Sequence, residues 1–286
     1  MISNDWVHLN ECKGSRIPAD NLLVRTRDLL PECESPYEYI CKNEMHLNNL
    51  YKILKILCSM LRLITDFDGP IVDVSDRYYR VYQECLTETQ REGQPVHELP
   101  KAEFWDMKRA RVPETEIGIL SGLDAAQALE FAQKRRQIIH TLPYLIYDKP
   151  APSAVETLEK VQRAGVDLVV MTMRRVKELD EAFNRCNLGH FFPENRRYCL
   201  PDDYVKTGDV KDKPLLMAKA LAELPPASDI WMVGDTEADI IAAKTHGVKV
   251  IGVLCGIRDR AKLEMHQPDL IANNLSEAVE IILDSY

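Results

Sequence analysis

The 286-residue sequence has no Cys-x-x-Cys pair. Its eight cysteines, Cys12, Cys33, Cys41, Cys58, Cys85, Cys186, Cys199 and Cys255, are scattered along the chain. Structural zinc sites need ligands in closer groups, and disulfide scaffolds are shorter and denser in cysteine. Reduced thiols in a cytoplasmic protein are therefore expected. A long apolar run is also missing. The most apolar stretch near the start, Leu50 to Ile64, is interrupted by Lys52, Lys55 and Arg62, so it is too short and too charged to cross a bilayer. No basic segment followed by an apolar one opens the sequence, and no signal peptide is expected. Basic residues are not in excess: the net charge of −9 speaks against a nucleic-acid partner. Internal repeats and low-complexity tracts are absent. What is present is 45% hydrophobic and 28% charged residues, enough to build a core in one large or two modest domains.

Four apolar runs rich in Val, Ile and Leu each lead to a polar residue of chemical use. They are Leu61–Thr65 before Asp66, Val166–Met171 before Thr172, Ile230–Gly234 before Asp235, and Lys249–Leu254 before Cys255. Apolar runs without polar alternation suit parallel strands buried on both faces. Between them lie helical patterns, Ser153–Ala164 with Gly165 as a stop and Ala238–His246 with Gly247. Alternating strands and helices predict an α/β fold, a doubly wound Rossmann-like parallel sheet. In such sheets ligands bind beyond the carboxyl ends of the strands. The span 75–147 reads differently. Arg77–Thr89, Lys101–Ala110 and Ala125–His140 are helical patterns with no strand-like run between them, which predicts an inserted all-helical cap domain. The core is then 60–74 and 148–286. Residues 1–59, with Pro18, Pro31, Pro36 and a helical pattern near Leu47–Leu57, read as an N-terminal extension of unknown role.

Asp66-Phe67-Asp68-Gly69 follows the first run. Two carboxylates at i and i+2 in a tight turn can face one site, and Gly69 supplies backbone freedom. Thr172 closes the second run, where its hydroxyl and backbone could donate to an anion. Lys213 stands in Asp212-Lys213-Pro214, ahead of the helical pattern Leu215–Leu221. Asp235 and Asp239 lie in Gly234-Asp235-Thr236-Glu237-Ala238-Asp239, about one helical turn apart. Four carboxylates converging at one sheet edge repel: like charges 4 Å apart cost on the order of 4 kcal/mol at an effective dielectric near 20. A hard divalent ion with oxygen ligands relieves this. Magnesium is the natural candidate, and Lys213 could supply further positive charge.

These segments, in this order, resemble the four motifs of the haloacid dehalogenase superfamily, over about Met60 to Tyr286. The helical insertion is similar to the type I cap of phosphoglycolate phosphatase-like members. The resemblance implies a magnesium-dependent phosphatase acting on a small phosphorylated metabolite. Asp66 would attack phosphorus and form a phospho-aspartate, and Asp68 would act as acid and then as base. Asp66, Asp68 through its main-chain carbonyl, Asp235 and Asp239 would hold the metal. Thr172 and Lys213 would grip phosphoryl oxygens, with Gly69 on the substrate side. The sequence departs from the usual pattern at Pro70 and Met173, which leaves the substrate subgroup open.

Asp68 argues against a dehalogenase, since that branch lacks the second acid. A phosphonate hydrolase would need a Schiff-base lysine in the cap, and Lys101, Lys108 and Lys134 are the formal choices. A sugar phosphomutase shares every catalytic residue named, and a catalytically silent binding protein stands as the reading from another class. Specificity is expected from the cap. Its basic cluster Lys108-Arg109-Ala110-Arg111 offers Arg109 and Arg111 as partners for a second anionic group, by the two-pronged geometry of guanidinium.

Overall fold

The structure, a computed structural model, describes residues 60–286. The sequence readings on residues 1–59 lie outside the described residues. Among the described residues eight strands run in chain order as β1 (Leu61–Thr65), β2 (Val72–Asp73), β3 (Lys149–Pro150), β4 (Asp167–Arg175), β5 (Arg197–Leu200), β6 (Asp229–Gly234), β7 (Lys249–Val253) and β8 (Leu270–Ala272). Six of them form a sheet in the order β5-β4-β1-β6-β7-β8, every neighbouring pair parallel. From β1 the chain winds outward to β4 and β5, then returns to the other side of β1 for β6, β7 and β8. The order therefore reverses beside β1, the place where such sheets open a crevice at their carboxyl edge.

The strands bury both faces. In β1, Leu61 and Leu63 join one apolar cluster and Ile64 another, as period-two alternation demands. Against the first face pack α6 (Ala154–Arg163), α7 (Val176–Cys186) and α11 (Leu275–Asp284), through Leu158, Phe183 and Val279. Against the second pack α8 (Asp209–Glu223) and α9 (Glu237–Thr245), through Met217 and Ile240. The charged residue inside β1, Arg62, is buried but paired: it donates to Asp167 at 2.7 Å and to the Pro225 carbonyl at 2.7 Å.

Between β2 and β3 the chain is helical. It contains α1 (Ser75–Thr89), α2 (Lys101–Arg109), α3 (Glu114–Leu120), α4 (Ala125–Ile138) and the short α5 (Leu142–Leu145). These carry an apolar cluster of their own around Tyr82, Phe104, Ile117 and Phe131. β2 and β3 pair antiparallel, Val72 with Pro150 and Asp73 with Lys149, and form the stem on which the helices stand.

Several element bounds differ from the sequence reading. β4 does not stop at Met171 but runs on to Arg175, with a register irregularity between those two residues. The helix expected from Leu215 begins at Asp209. Its start is fixed by the Asp212 side chain, which accepts from the Thr207 N–H, the Thr207 hydroxyl and the Gly208 N–H. Lys213 is thus inside the helix rather than ahead of it. No helix among the described residues is long and apolar enough to cross a membrane.

Candidate active site

Asp66 leaves the end of β1 with its N–H bonded to the Val233 carbonyl at 2.8 Å, so the ladder to β6 sets its direction. Its Oδ1 accepts from the Phe67 N–H at 2.7 Å, and its Oδ2 lies 2.9 Å from Lys213 Nζ. Lys213 also contacts Asp239. Asp239 is placed by the start of α9, where Thr236 is the N-cap. Its Oδ2 accepts from the Thr236 N–H at 3.0 Å and the Thr236 hydroxyl at 2.7 Å, which closes a capping box. Asp235, just past β6, accepts from the Ile257 N–H at 2.6 Å. Oxygens of Asp66, Asp235 and Asp239 all lie within 4.8 Å of one another, and all three residues are buried.

This crowding shows in the acidities. Burial, only partly opposed by Lys213, raises the Asp66 carboxyl well above the usual range, and Asp239 and Asp235 push it further. Asp235 is pushed up to about 7 by burial and by Asp239. Burial works against the Lys213 ammonium, but Asp239 and Asp66 outweigh it and hold the charge in place. One buried cation among three buried carboxylates leaves negative charge uncompensated.

The donor set fits a magnesium ion. It is all carboxylate oxygen, and two glycines form a cradle around it. A Cβ on Gly69 (φ +91°) would lie 2.5 Å from Asp235 Cγ, and one on Gly256 would lie 1.8 Å from Asp235 Oδ2. Gly69 therefore serves the acid beside it, and is not among the residues lining the cavity above.

That cavity, about 150 Å³, is lined by Asp66, Asp68, Thr172, Lys213 and Asp235 together. The four sequence segments thus meet at one place. Thr172 sits in the irregular part of β4, where its hydroxyl accepts from the Arg174 N–H at 3.2 Å; such irregularities re-aim side chains beside sites. Helices between β2 and β3 close the other side through Tyr78 and the residue that follows Ile139, His140.

Arg109 and Arg111 are elsewhere. Arg109 donates to the Leu254 carbonyl at 2.9 Å, and its own carbonyl accepts from the Asp259 N–H at 3.2 Å. Arg111 pairs with Glu237 at 2.9 Å. Neither lines the cavity; both tie the helical insertion to the sheet domain. Lys108, one of the formal Schiff-base choices, is held by Glu114 and does not line the cavity either.

Sequence reasoning missed Arg77, Asp148, Arg174, His140 and Lys206. Lys206, half-buried in the loop before α8, lines the cavity with no carboxylate partner among the described residues. Arg77 and Arg174 hold Asp68 from two sides, at 2.9 and 2.7 Å. Burial would raise the Asp68 carboxyl, but these guanidiniums outweigh it and keep it well below the usual carboxylate range. Only Arg174 left a trace in the sequence. It stands two residues after Thr172, the spacing that returns a strand side chain to the same face.

A family profile described as HAD-hydrolase-like matches residues 210–278, the part holding Lys213, Asp235 and Asp239. A phosphoglycolate phosphatase of Vibrio parahaemolyticus is 28% identical over 160 residues, covering 53% of this chain and 60% of that protein. One from Pseudomonas fluorescens is 25% identical over 169 residues, 59% of this chain and 58% of that protein. A solved haloacid dehalogenase-like hydrolase from Streptococcus pneumoniae superposes with a TM-score of 0.55 at 22% identity, covering 78% of this chain and 98% of its own. Over these stretches the chain is similar to haloacid dehalogenase-like hydrolases. Its matched part resembles phosphoglycolate phosphatases, and its Rossmann-like sheet shares the fold of that solved hydrolase. The matches span about three fifths of the length of the first two curated relatives.

Proposed function

We propose that this chain is a haloacid dehalogenase-type, magnesium-dependent phosphatase, hydrolysing a small phosphate monoester through a phospho-aspartyl intermediate on Asp66. The observation that carries this reading is the buried group of Asp66, Lys213, Asp235 and Asp239 beneath a cavity that Asp68 and Thr172 also line. Asp66 and Asp235, supported by Asp239 and the main chain of Asp68, would hold the metal. Once bound, Mg2+ would offset negative charge on the carboxylates and on the phosphoryl oxygens.

The chain's own residues account for the rest. Lys213 orients Asp66, favours its ionised form against the effect of burial, and offers its third N–H to the phosphoryl group. Thr172 donates to the same group. Asp66 attacks phosphorus, and Asp68 gives a proton to the departing ester oxygen. The cavity suits a phosphate with only a few further atoms. Lys206 lines the cavity, whereas Arg109 and Arg111 do not, so an anionic group on the substrate would be received by Lys206. Relatives named phosphoglycolate phosphatase make phosphoglycolate the first ester to try.

The test is orthophosphate release from a panel of small esters, with product isomers read in parallel. Asp66→Asn is expected to fold and to lose at least 10³-fold in kcat, on the order of removing a catalytic group. Excess chelator is expected to abolish release and Mg2+ to restore it. Full activity with chelator, or retained turnover in Asp66→Asn, would overturn the reading; isomer without phosphate would make it a mutase.

A further inference from the structure

Asp68 does not stand alone. Arg77 Nη2 donates to its Oδ2 at 2.9 Å, and Arg174 Nε donates to its Oδ1 at 2.7 Å. The same guanidiniums also hold Asp148: Arg77 Nε lies 2.9 Å from Asp148 Oδ1, and Arg174 Nη2 donates to Asp148 Oδ2. Four side chains therefore close a ring of alternating charge with no net charge. Arg77 and Asp148 are 0% exposed and Arg174 4%. The ring joins the turn after β1, the first turn of α1, the residue before β3 and the end of β4.

Stability gives little reason for such a ring, since desolvating four charges offsets most of what their attraction returns. Its hydrogen-bonding inventory points to chemistry. Arginine offers donors only, so both oxygens of Asp68 must be acceptors while the ring is closed. The closed ring holds the carboxylate, the form that takes a proton from water. The acid form, with an O–H, has to leave one guanidinium.

We propose that Arg77, Arg174 and Asp148 are positioning residues that hold Asp68 as the base for the second half of the reaction, hydrolysis of phospho-Asp66. In that step the water oxygen bonds to phosphorus, one water proton passes to Asp68, and the bond from phosphorus to the Asp66 oxygen breaks. Asp66 returns as a carboxylate and phosphate departs. The ring thereby sets how long the phosphoryl enzyme survives, the property that separates a phosphatase from a mutase. The inference rests on the phosphatase reading above.

The test uses Asp148→Asn and Arg77→Lys in the full chain, with p-nitrophenyl phosphate and Mg2+. Nitrophenolate leaves without help from an acid, so kcat/KM, which reports steps through formation of phospho-Asp66, is expected to stay within about twofold of wild type. Hydrolysis is expected to slow by about ten- to a hundredfold, the scale of misplacing a reacting group. Then kcat and KM fall together, a burst of nitrophenolate appears, and intact-mass analysis of acid-quenched enzyme shows a phosphorylated protein. Arg77→Lys keeps the charge but has a single nitrogen in place of the Nη2 on Asp68 and the Nε on Asp148, so it loses the two-pronged hold and serves if Asp148→Asn fails to fold. A fall of kcat/KM in step with kcat, with no phosphoprotein, would overturn the positioning role. Wild type that releases no phosphate from any ester would overturn the phosphatase reading itself, and this inference with it.

Discussion

Asp235 shows how one residue can carry a pH dependence. Burial and the neighbouring Asp239 push its carboxyl up to about 7, against roughly 3.9 for a free aspartate. The metal-free folded chain therefore binds more protons than the unfolded chain between about pH 4 and 7, and Asp235 lowers folding stability as pH rises through that window. A metal needs the deprotonated form, so affinity moves the other way. Calorimetric titration with Mg2+ is expected to show affinity rising by up to about tenfold per pH unit between pH 5.5 and 7, then levelling. In Asp235→Asn the slope is expected to flatten. An affinity that does not change with pH in wild type would show that Asp235 does not gate the metal.

Between residue and domain, the turns that follow β1 and β7 decide whether the acids can approach. Gly256 has no room for a side chain, because a Cβ there would meet the Asp235 carboxylate. Gly256→Ala is expected to weaken Mg2+ binding by about 10- to 100-fold, as loss of an outer support does. Gly247→Ala, at φ +67° but with nothing within 4 Å, is expected to lower the melting temperature and leave Mg2+ affinity unchanged. Equal effects at both positions would remove the cradle argument. The central strands β1, β6 and β7 were legible within a residue or so because burial on both faces leaves a run with little polar content. The edge strands were not. β5 reads Arg-Tyr-Cys-Leu and β8 spans three residues, too short and too mixed to show a period. Asp66, Asp235 and Asp239 were legible because each sits at a strand end or helix start, where local spacing fixes direction. Arg77 and Asp148 were not, since each looks like a solvated residue until the fold closes the long helical span between them.

On the scale of the whole molecule, Arg109 and Arg111 do a different job from the one their sequence suggested. Clustered basic residues at a helix end look available to a ligand, but both are engaged by the sheet domain. Their contacts differ in weight. Arg109 makes a charge-assisted bond to a main-chain carbonyl, which contributes about 1.5–3 kcal/mol. The Arg111 side chain is 53% exposed, and an exposed pair contributes about 1 kcal/mol or less. Thermal denaturation is expected to show a clear loss for Arg109→Ala and a small one for Arg111→Ala, with the ratio of kcat/KM between two esters unchanged in both. A larger loss in Arg111→Ala, or a change in ester preference, would contradict this division of labour.

The stem has a consequence for how such a molecule could be rebuilt. Asp73 and Lys149 are register partners, about 5 Å apart as antiparallel neighbours are. The helical span therefore leaves and re-enters the sheet domain through adjacent points, like a cassette on a single socket. A tight turn could close the socket, or a foreign helical module could be grafted there, without moving any strand of the six-stranded sheet. The graft would need one feature from this chain. Arg77, the third residue of α1, belongs to the cassette, whereas Asp68, Asp148 and Arg174 remain behind. A replacement lacking an arginine at that place would leave the buried Asp148 and the part-exposed Asp68 sharing one guanidinium.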